Sequence, residues 1–408
     1  MKGFSGSATG TGRLAALAAA ALLLASCTPG ELQFGSRTLS LPFGGSGANT
    51  AVSSTPSAPA ERFGRGPVTV ALLLPLSGEP TLSAAGTVLA NASRLAIDFI
   101  NTNPNIGENI TIALRDTGDT AAGASRAATA AISDGARLIL GPLTSEQLGA
   151  AGAVARAAGV PLIGFSNNAA HAGNGVYVLA LLPEQQMQRA LSYLMAQGRR
   201  GPAGVFPATP YGEAMATAFR QQAIATGFNP QAVYTFSSPS EAASIVAQAK
   251  PLIERGLIDA LFLPDPASAP AFGAALAAAG VDGAAVQLVG SADWAEHGTL
   301  FTQPTLQGAI FPAVDESGLN AIAPAYQARF GARPPQMATI AYTATILANV
   351  NTLSLASPPY NPATLTNPAG FNGRDGLFRF RADGRSDYAL AIKRISGNSA
   401  ATVEGPRL

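Results

Sequence analysis

Short apolar runs alternate with helical patterns along most of the chain. Val68–Leu74 is apolar except for Thr69 and ends at Pro75, which predicts a buried strand, and residues 81–101 follow with a helical pattern. Further strands are predicted at 109–115, 137–140, 161–165, 204–206, 233–236, 258–263 and 286–290, and further helices at 120–133, 144–158, 184–197, 211–225, 241–255 and 267–279. This alternation predicts βαβ units, and therefore parallel sheets covered by helices on both faces.

The pattern is too long for one ordinary domain, and it restarts after residue 183. We therefore expect an α/β protein with two doubly wound parallel-sheet lobes. The C-terminal part differs, because the alternating runs 377–381 and 388–392 lie on either side of Asp383-Gly384. Such a pair of runs predicts a β-hairpin.

The composition permits a large core and gives little indication of a charged partner. Hydrophobic residues make up 47% of the chain and charged residues 12%. The 25 lysine and arginine residues nearly balance the 24 aspartate and glutamate residues, so the formal net charge is +1. Nucleic-acid-binding proteins usually carry a basic face, and this balance argues against that class.

The N-terminal segment has the order of a secretory signal. A positively charged start precedes the apolar run 14–24, which is too short to span a bilayer as a helix. Leu24-Ala25-Ser26-Cys27 then follows, and it resembles a bacterial lipobox. The resemblance implies a signal peptide at 1–26, lipids on Cys27 and a membrane anchor. The alternative is an ordinary secretory signal followed by an incidental cysteine.

The segment after the cysteine predicts a linker rather than a domain. Residues 27–66 contain stretches rich in glycine, serine and proline, such as 44–47 and 53–59, and these cannot bury enough apolar surface to fold. Thr28 occupies the place where aspartate retains similar lipoproteins at the inner membrane, so in a cell with two membranes it favours the outer membrane. Cys27 is the only cysteine, so no intramolecular disulfide is expected.

Five motifs occur in order along the body of the chain. They are LLLPLSG at 72–78, LILGPL at 138–143, GVPLIGFSN at 159–167, PYG at 210–212 and GRDGLFRFRADG at 373–384. In this order and spacing, residues 68–395 resemble the type I periplasmic binding proteins of the leucine-binding class. With its lipobox and linker, the chain is most similar to the members called penicillin-binding protein activators.

The resemblance implies the type I periplasmic binding protein fold, with two lobes, three chain crossings and an interlobe cleft. It assigns residues 67–182 and 308–365 to lobe one. It assigns residues 183–307 and 366–408, with the terminal hairpin, to lobe two.

Polar side chains follow three of the predicted strands, at Ser77, at Thr144-Ser145 and at Ser166-Asn167-Asn168. In open parallel sheets, ligands bind beyond the carboxyl ends of the strands. Thr144 and Ser145 open a helix whose free N–H groups attract an anion such as a carboxylate, and the hydroxyl and amides at 166–168 can orient a small zwitterion. The alternative is that the first pair only caps the helix and the second group only satisfies loop backbone.

The leucine-binding receptors suggest roles for these residues. Thr144 and Ser145 match the receptors' carboxylate-binding segment, and Ser166 to Asn168 match their ammonium-binding loop. Tyr211 matches a tyrosine that lines the cleft from the second lobe.

Two departures from the receptors concern the ammonium group of a ligand. Asp265 lies in a Leu-Pro-Asp-Pro segment where the receptors carry a turn with glycine and tyrosine. The receptors' ammonium-pairing glutamate falls near Ala292, with Asp293 one residue away. An unpaired ammonium in a closed cleft is costly, so ordinary amino acids are expected to bind weakly or not at all unless Asp293 or Asp265 substitutes.

Catalytic and metal-binding patterns have little support. His171 and His297 lack the surroundings of metal ligands, and residues 164–168 lack the closing glycine of a nucleophile elbow. No glycine-rich phosphate loop with lysine occurs. We therefore expect a protein that is not an enzyme and has no metal or cofactor. Trp294, the only tryptophan, is expected to pack within a lobe.

The first functional hypothesis is a lipid-anchored protein on the periplasmic side of the envelope, at the outer membrane, that regulates a peptidoglycan synthase. The alternative is a substrate-binding lipoprotein of an ABC importer for branched-chain amino acids, amides or related small molecules, with the permease as partner. An outer-membrane anchor holds a receptor away from its importer, which favours the regulator. In a cell with one membrane that argument disappears, and the importer hypothesis gains.

Overall fold

The computed structural model describes residues 60–230 and 232–408, together with the backbone of Glu31–Phe34 and Arg37–Ser40. The predicted signal peptide, Cys27 and most of the predicted linker lie outside the described residues. Glu31–Phe34 (β1) and Arg37–Ser40 (β2) pair as an antiparallel hairpin within the segment predicted as linker. The chain divides into two compact units, Met1–Pro56 and Ser57–Leu408, and the second contains all the elements described below.

Lobe one is built on a six-stranded sheet in the order β3-β5-β4-β6-β7-β8. Its strands are Glu61–Gly64 (β3), Val68–Leu74 (β4), Ile110–Asp116 (β5), Leu138–Leu140 (β6), Leu162–Gly164 (β7) and Val176–Val178 (β8). Strands β4 to β8 are parallel, and β3 pairs antiparallel with the edge of β5. The sequence pattern places β3 in the linker, but its backbone pairs with β5 and its Phe63 packs against the core.

Helices cover both faces of this sheet. They are Pro80–Thr102 (α1), Ala121–Ser133 (α2) and Ser145–Ala158 (α3). Successive side chains of a strand point to opposite faces, so in β4 Leu72 packs in the core that contains α1, and Leu73 packs in the core that contains α2 and α3. Glu79 caps α1 by accepting hydrogen bonds from the N–H groups of Thr81 and Leu82.

Lobe two repeats this plan with a second set of strands and helices. Its parallel strands are Pro202–Pro207 (β9), Ala232–Phe236 (β10), Ala260–Phe262 (β11), Gln287–Val289 (β12) and Ile310–Ala313 (β13), and its helices are Pro183–Ala196 (α4), Pro210–Thr226 (α5), Ala242–Glu254 (α6) and Ala269–Ala278 (α7). The side chains of α4 and α5 form one core with one face of the sheet, and those of α6 and α7 form another with the opposite face. Strand β13 was not predicted from the sequence, and the predicted bounds of the other elements agree with the structure to within about three residues.

The C-terminal part of the chain contributes helices and strands to both lobes. Its elements are Ser317–Phe330 (α8), Ala338–Asn349 (α9), the short helices Asn351–Ser354 (α10) and Pro362–Leu365 (α11), and the strands Phe371–Gly373 (β14), Gly376–Phe380 (β15), Ser386–Tyr388 (β16), Leu390–Ser396 (β17) and Ser399–Arg407 (β18). Helices α8 and α9 pack in the core of lobe one, and so does the small antiparallel sheet β14-β15-β16. Strands β17 and β18 extend the sheet of lobe two, which runs β10-β9-β11-β12-β13-β17-β18.

The chain therefore passes between the two cores at 179–182, at 314–316 and at Ala389. The hairpin predicted around Asp383-Gly384 forms with Phe380 opposite Ser386, but its second run divides, because Leu390–Ser396 pairs with lobe two instead. The predicted α/β fold with two doubly wound lobes is confirmed. The lobe boundaries taken from the resemblance differ from these crossings in two places, because Ile310–Ala313 belongs to the sheet of lobe two and the small sheet β14-β15-β16 packs in the core of lobe one.

Candidate functional site: an acidic cavity between the lobes

A cavity of about 340 Å³ lies between the two lobes, beyond the carboxyl ends of strands from both sheets. Lobe one contributes residues that follow β6, β7 and β8, and lobe two contributes residues that follow β12 and β13. The lining consists of Leu143, Phe165, Asn167, Ala180, Leu181, Ala292, Asp293, Ala295, Glu296, Val314, Glu316, Gln336, Met337, Ile340, Asp375 and Tyr388. This is the position in which open parallel sheets bind ligands. We call it the interlobe cavity.

Every charged side chain in the lining of the interlobe cavity is a carboxylate: Asp293, Glu296, Glu316 and Asp375. Glu316 is neutralised by Lys393, whose Nζ lies 2.5 Å from Glu316 Oε1. In the described part of the chain the other three have no ion-pair partner. The cavity therefore offers a negative potential inside mostly apolar walls.

Asp375 is the most deeply buried of these carboxylates, with 6% of its surface exposed. Gln336 Nε2 donates to its Oδ1 at 2.6 Å, and Thr339 Oγ1 donates to its Oδ2 at 2.8 Å. Burial nevertheless raises the pKa of Asp375 to about 6, and the nearby charges of Asp315 and Glu296 add to the effect. A positive charge in the cavity would stabilise its ionised form.

Asp293 and Glu296 lie on the 3₁₀ helix Ala292–Glu296, which follows β12. Tyr211 Oη donates to Asp293 Oδ2 at 2.6 Å, and Ser291 Oγ lies 3.2 Å from the same oxygen. Burial, followed by the charge of Asp293, raises the pKa of Tyr211. Desolvation raises the pKa of Glu296, and the charge of Asp293 contributes further. Tyr211 thus reaches the cavity through Asp293, so the predicted lobe-two tyrosine is linked to this site.

Three of the site residues predicted from the sequence follow strands β4 and β6 of lobe one. Ser77 Oγ donates to Asp116 Oδ2 at 2.5 Å, and Thr144 Oγ1 caps α3 by accepting from Gln147 N at 3.3 Å. Ser145 is the first residue of α3. Ser77, Thr144 and Ser145 do not line the interlobe cavity, whereas Leu143, immediately before them in the chain, does.

The loop after β7 has one cavity residue and two residues that shape the backbone. Ser166 Oγ accepts from Asn168 N at 3.1 Å, and Asn168 Oδ1 accepts from Ala170 N at 2.9 Å. Asn167 is exposed and lines the cavity. The side chains of Ser166 and Asn168 therefore accept hydrogen bonds from backbone N–H groups of their own loop, as the alternative to a ligand role predicts.

The two remaining residues singled out in the sequence have local partners. Asp265 Oδ2 accepts from Ser268 N at 2.9 Å, at the start of α7, and Asp265 does not line the cavity. Trp294 is completely buried, and its ring centroid lies 6.2 Å from that of Phe311. The expected packing of Trp294 within a lobe is confirmed.

Glu296, Glu316, Gln336 and Asp375 are cavity residues that the sequence analysis missed. Asp375 lies within the motif at 373–384, so a signal for it was present, but its role depends on the small sheet that carries it to the cavity. Among the described residues, no group of three His, Cys, Asp or Glu side chains is arranged to hold a metal ion. No helix in the described part of the chain is long and apolar enough to cross a membrane.

A known protein family matches most of the chain in sequence. The sequence profile of the family described as periplasmic binding protein matches residues 67–393. No curated protein matches the chain in sequence.

Solved structures share the fold at low identity. A putative branched-chain amino acid ABC transporter from Rhodospirillum rubrum is 21% identical, with a TM-score of 0.68 over 82% of this chain and 99% of that one. A branched-chain amino acid transporter substrate-binding protein from Streptococcus pneumoniae, in complex with isoleucine, is 19% identical, with a TM-score of 0.57 over 83% and 99%. A solute-binding protein from R. palustris, in complex with benzoate, is 20% identical, with a TM-score of 0.57 over 84% and 98%.

The family match covers most of the chain, and the structural matches cover nearly all of each solved protein. These proteins are named for binding and transport rather than for catalysis. The chain belongs to the periplasmic binding protein family.

Proposed function

We propose that this chain is the substrate-binding component of an ABC importer and that it takes its small ligand in the interlobe cavity. The observation that carries the proposal is a cavity of about 340 Å³ between two lobes, lined by residues that follow strands of both sheets. Its volume lies within the range of about 300–1,000 Å³ typical of small-molecule sites. The names of the solved proteins with this fold support the importer hypothesis over the regulator.

The charge of the interlobe cavity supports a ligand with an ammonium group. Asp293, Glu296 and Asp375 can each oppose a positive charge, and no lysine or arginine lines the cavity to pair with a carboxylate. Leu143, Phe165, Met337 and Ile340 supply apolar wall. We therefore propose a small apolar amine or amino amide as ligand. These carboxylates supply the partner for a ligand's ammonium group that the sequence analysis did not locate. Amino acids are still expected to bind weakly, because no lysine or arginine lines the cavity to pair with the carboxylate group of an amino acid.

The position in the cell is also part of the proposal. The lipobox ending at Cys27 supports a lipid anchor on the periplasmic side of the membrane, with the segment before residue 60 as a tether. Thr28 favours the outer membrane, whereas an importer's permease lies in the inner membrane, so the importer proposal places the anchor at the inner membrane. The lipobox and the linker are also the features that favour the regulator of a peptidoglycan synthase, which remains the second candidate.

The direct test exposes the purified full chain to an equimolar mixture of small amines, amino amides, amino acids and organic acids, and identifies the retained compound by native mass spectrometry. We expect a compound with an ammonium group to be enriched. Glu296→Gln should weaken its binding by about tenfold through loss of one charge-assisted contact. Glu213→Gln, on the exposed side of α5, is the matched control and should bind like the unaltered chain.

Two results would count against the proposal. Enrichment of an organic acid whose retention changes in Glu296→Gln contradicts the ammonium assignment. Equal retention of the amine by Glu296→Gln and Glu213→Gln places that ligand elsewhere. Capture of a peptidoglycan synthase by the chain, with no small molecule retained, favours the regulator instead.

A further inference from the structure

A second and larger cavity, of about 640 Å³, lies where lobe two meets the small sheet β14-β15-β16. One wall is the side of α4 that carries Gln185, Arg189 and Tyr193, and the other walls come from β15, β16 and β18. We call it the hinge crevice, because the chain passes from the small sheet into lobe two at Ala389, beside it. Tyr388 lines both the hinge crevice and the interlobe cavity.

On the lobe-two side of the hinge crevice, two arginines share one carboxylate. Glu404 Oε1 lies 3.3 Å from an Nη of Arg189 and 3.0 Å from an Nη of Arg407. Arg189 is buried and also donates to the carbonyl oxygens of Leu390 and Gly405. Arg407 is largely exposed, with 71% of its side-chain surface accessible. One carboxylate cannot saturate the N–H groups of two guanidiniums, which have five donors each.

The same arrangement recurs on the opposite wall. Asp387 lies 3.0 Å from an Nη of Arg379 and 3.9 Å from an Nη of Arg381. Arg381 also contacts Asp383 at 3.0 Å, outside the crevice lining. The side chains that line the crevice thus include four arginines and two carboxylates, and Asp383, outside the lining, is a further partner of Arg381. A compact anion with several oxygens matches the remaining donors.

Gln185 provides an independent observation in the same place. It lines the hinge crevice and has only 8% of its surface exposed. Its side-chain Oε1 is buried and has no hydrogen-bond partner in the described part of the chain. A buried acceptor without a partner is costly, and a ligand that carries a hydroxyl or N–H group beside its anionic oxygens would satisfy it.

We propose that the hinge crevice is a second ligand site, which takes a small organic carboxylate or a phosphate. Its charge is the opposite of that of the interlobe cavity, so the two sites select different compounds. Because its walls come from lobe two and from the small sheet that packs on lobe one, an anion bound there couples to the relative position of the lobes. Tyr388 lines both sites and connects them. Thermodynamic linkage makes the coupling reciprocal, so the anion and the interlobe ligand change each other's affinity by the same factor.

The test is calorimetry on the full chain with inorganic phosphate and with benzoate as separate probes, at constant ionic strength. We expect saturable binding of at least one probe, and the more tightly bound probe identifies the oxyanion. Arg381→Gln with Arg407→Gln should weaken it by at least about tenfold. Arg126→Gln with Arg220→Gln removes the same two charges from exposed positions on α2 and α5 and should leave the affinity unchanged within about twofold.

Equal binding by the two double variants, or the absence of saturable binding of both probes, overturns the proposal. Hydrogen exchange on the unaltered chain provides a check that needs no variant: the probe should protect amides of α4 and of 379–388. Asp375→Asn separates the two sites, because it lines only the interlobe cavity and should leave the anion's affinity unchanged. Tighter anion binding in Asp375→Asn, from removal of a repelling charge, would place the anion in the interlobe cavity and refute the second site.

Discussion

Replacing Asp375 by asparagine should stabilise the free protein at neutral pH and weaken ligand binding at the same time. Asp375 is almost wholly buried, and burial raises the pKa of its carboxyl from 3.8 to about 6. Asparagine has nearly the same shape and can keep contacts with Gln336 and Thr339, but it has no charge to desolvate. Opposite effects on stability and on affinity are the sign of a charge held in place for a ligand.

The magnitude follows from the pKa shift. A shift from 3.8 to about 6 corresponds to about 3 kcal/mol, at about 1.4 kcal/mol for each pH unit. The folded state binds the proton more tightly than the unfolded state, so the free energy of unfolding falls as pH rises from about 4 to about 6, and the full cost is present above that range. Asp375→Asn removes this cost, and the lost charge-assisted contacts offset part of the gain, which leaves about 1–3 kcal/mol.

The assay is urea unfolding of the full chain and of Asp375→Asn at pH 4 and at pH 7.5, with Glu213→Gln as a control for the loss of one carboxylate. We expect the advantage of Asp375→Asn to be larger at pH 7.5 than at pH 4, and the control to show no such change. If Asp375→Asn is less stable at both values by the same amount, the carboxylate is a structural anchor. The reasoning would then be wrong.

Three further predictions concern packing, the site and the anchor. Gly290→Ala places a Cβ 2.2 Å from the Trp294 ring, so it should lower the free energy of unfolding by about 1–3 kcal/mol. Gly283→Ala is the control, because a Cβ there meets no atom within 4 Å, and it should leave the free energy of unfolding unchanged. Urea unfolding measures both variants. Tyr211→Phe removes a 2.6 Å hydrogen bond to a cavity carboxylate and should weaken amine binding several-fold by calorimetry, and an unchanged affinity would remove the tyrosine from the site. Cys27→Ala should move the protein from the membrane to the soluble fraction and abolish palmitate labelling, and an unlabelled but membrane-bound natural chain would refute the lipid anchor.

The regular elements of both lobes could be predicted because their signals are local. Val68–Leu74 is apolar except for Thr69 because both faces of a parallel strand are covered, and helix α1, which follows, begins at a side-chain cap. Helix α9 was not predicted, because nearly all of its side chains are buried and no polar face marks it. The strand Glu61–Gly64 was missed because an edge strand of four residues, stabilised by its partner, looks like linker in isolation.

The interlobe cavity could be predicted only in outline. The carboxyl ends of the strands gave its position, and Asn167 and Asp293 are cavity residues named from the sequence. The acidic character could not be foreseen, because Glu296 and Asp375 lie on separate segments that the path of the chain brings together. Ser77 and Thr144 follow strands as expected, but Ser77 donates to Asp116 and Thr144 caps α3. These hydrogen bonds stabilise the fold of lobe one rather than place the two side chains in the cavity.

The charge preference of the interlobe cavity is the central claim, and three matched compounds test it. Leucinamide carries an ammonium group without a carboxylate, 4-methylpentanoate carries a carboxylate without an ammonium group, and leucine carries both. Calorimetry on the full chain with Arg381→Gln and Arg407→Gln, which weaken the hinge crevice, should find leucinamide bound most tightly, leucine weaker by at least about tenfold, and 4-methylpentanoate not bound. Tighter binding of leucine or 4-methylpentanoate than of leucinamide, or no binding of leucinamide, would contradict a site built for small apolar amines.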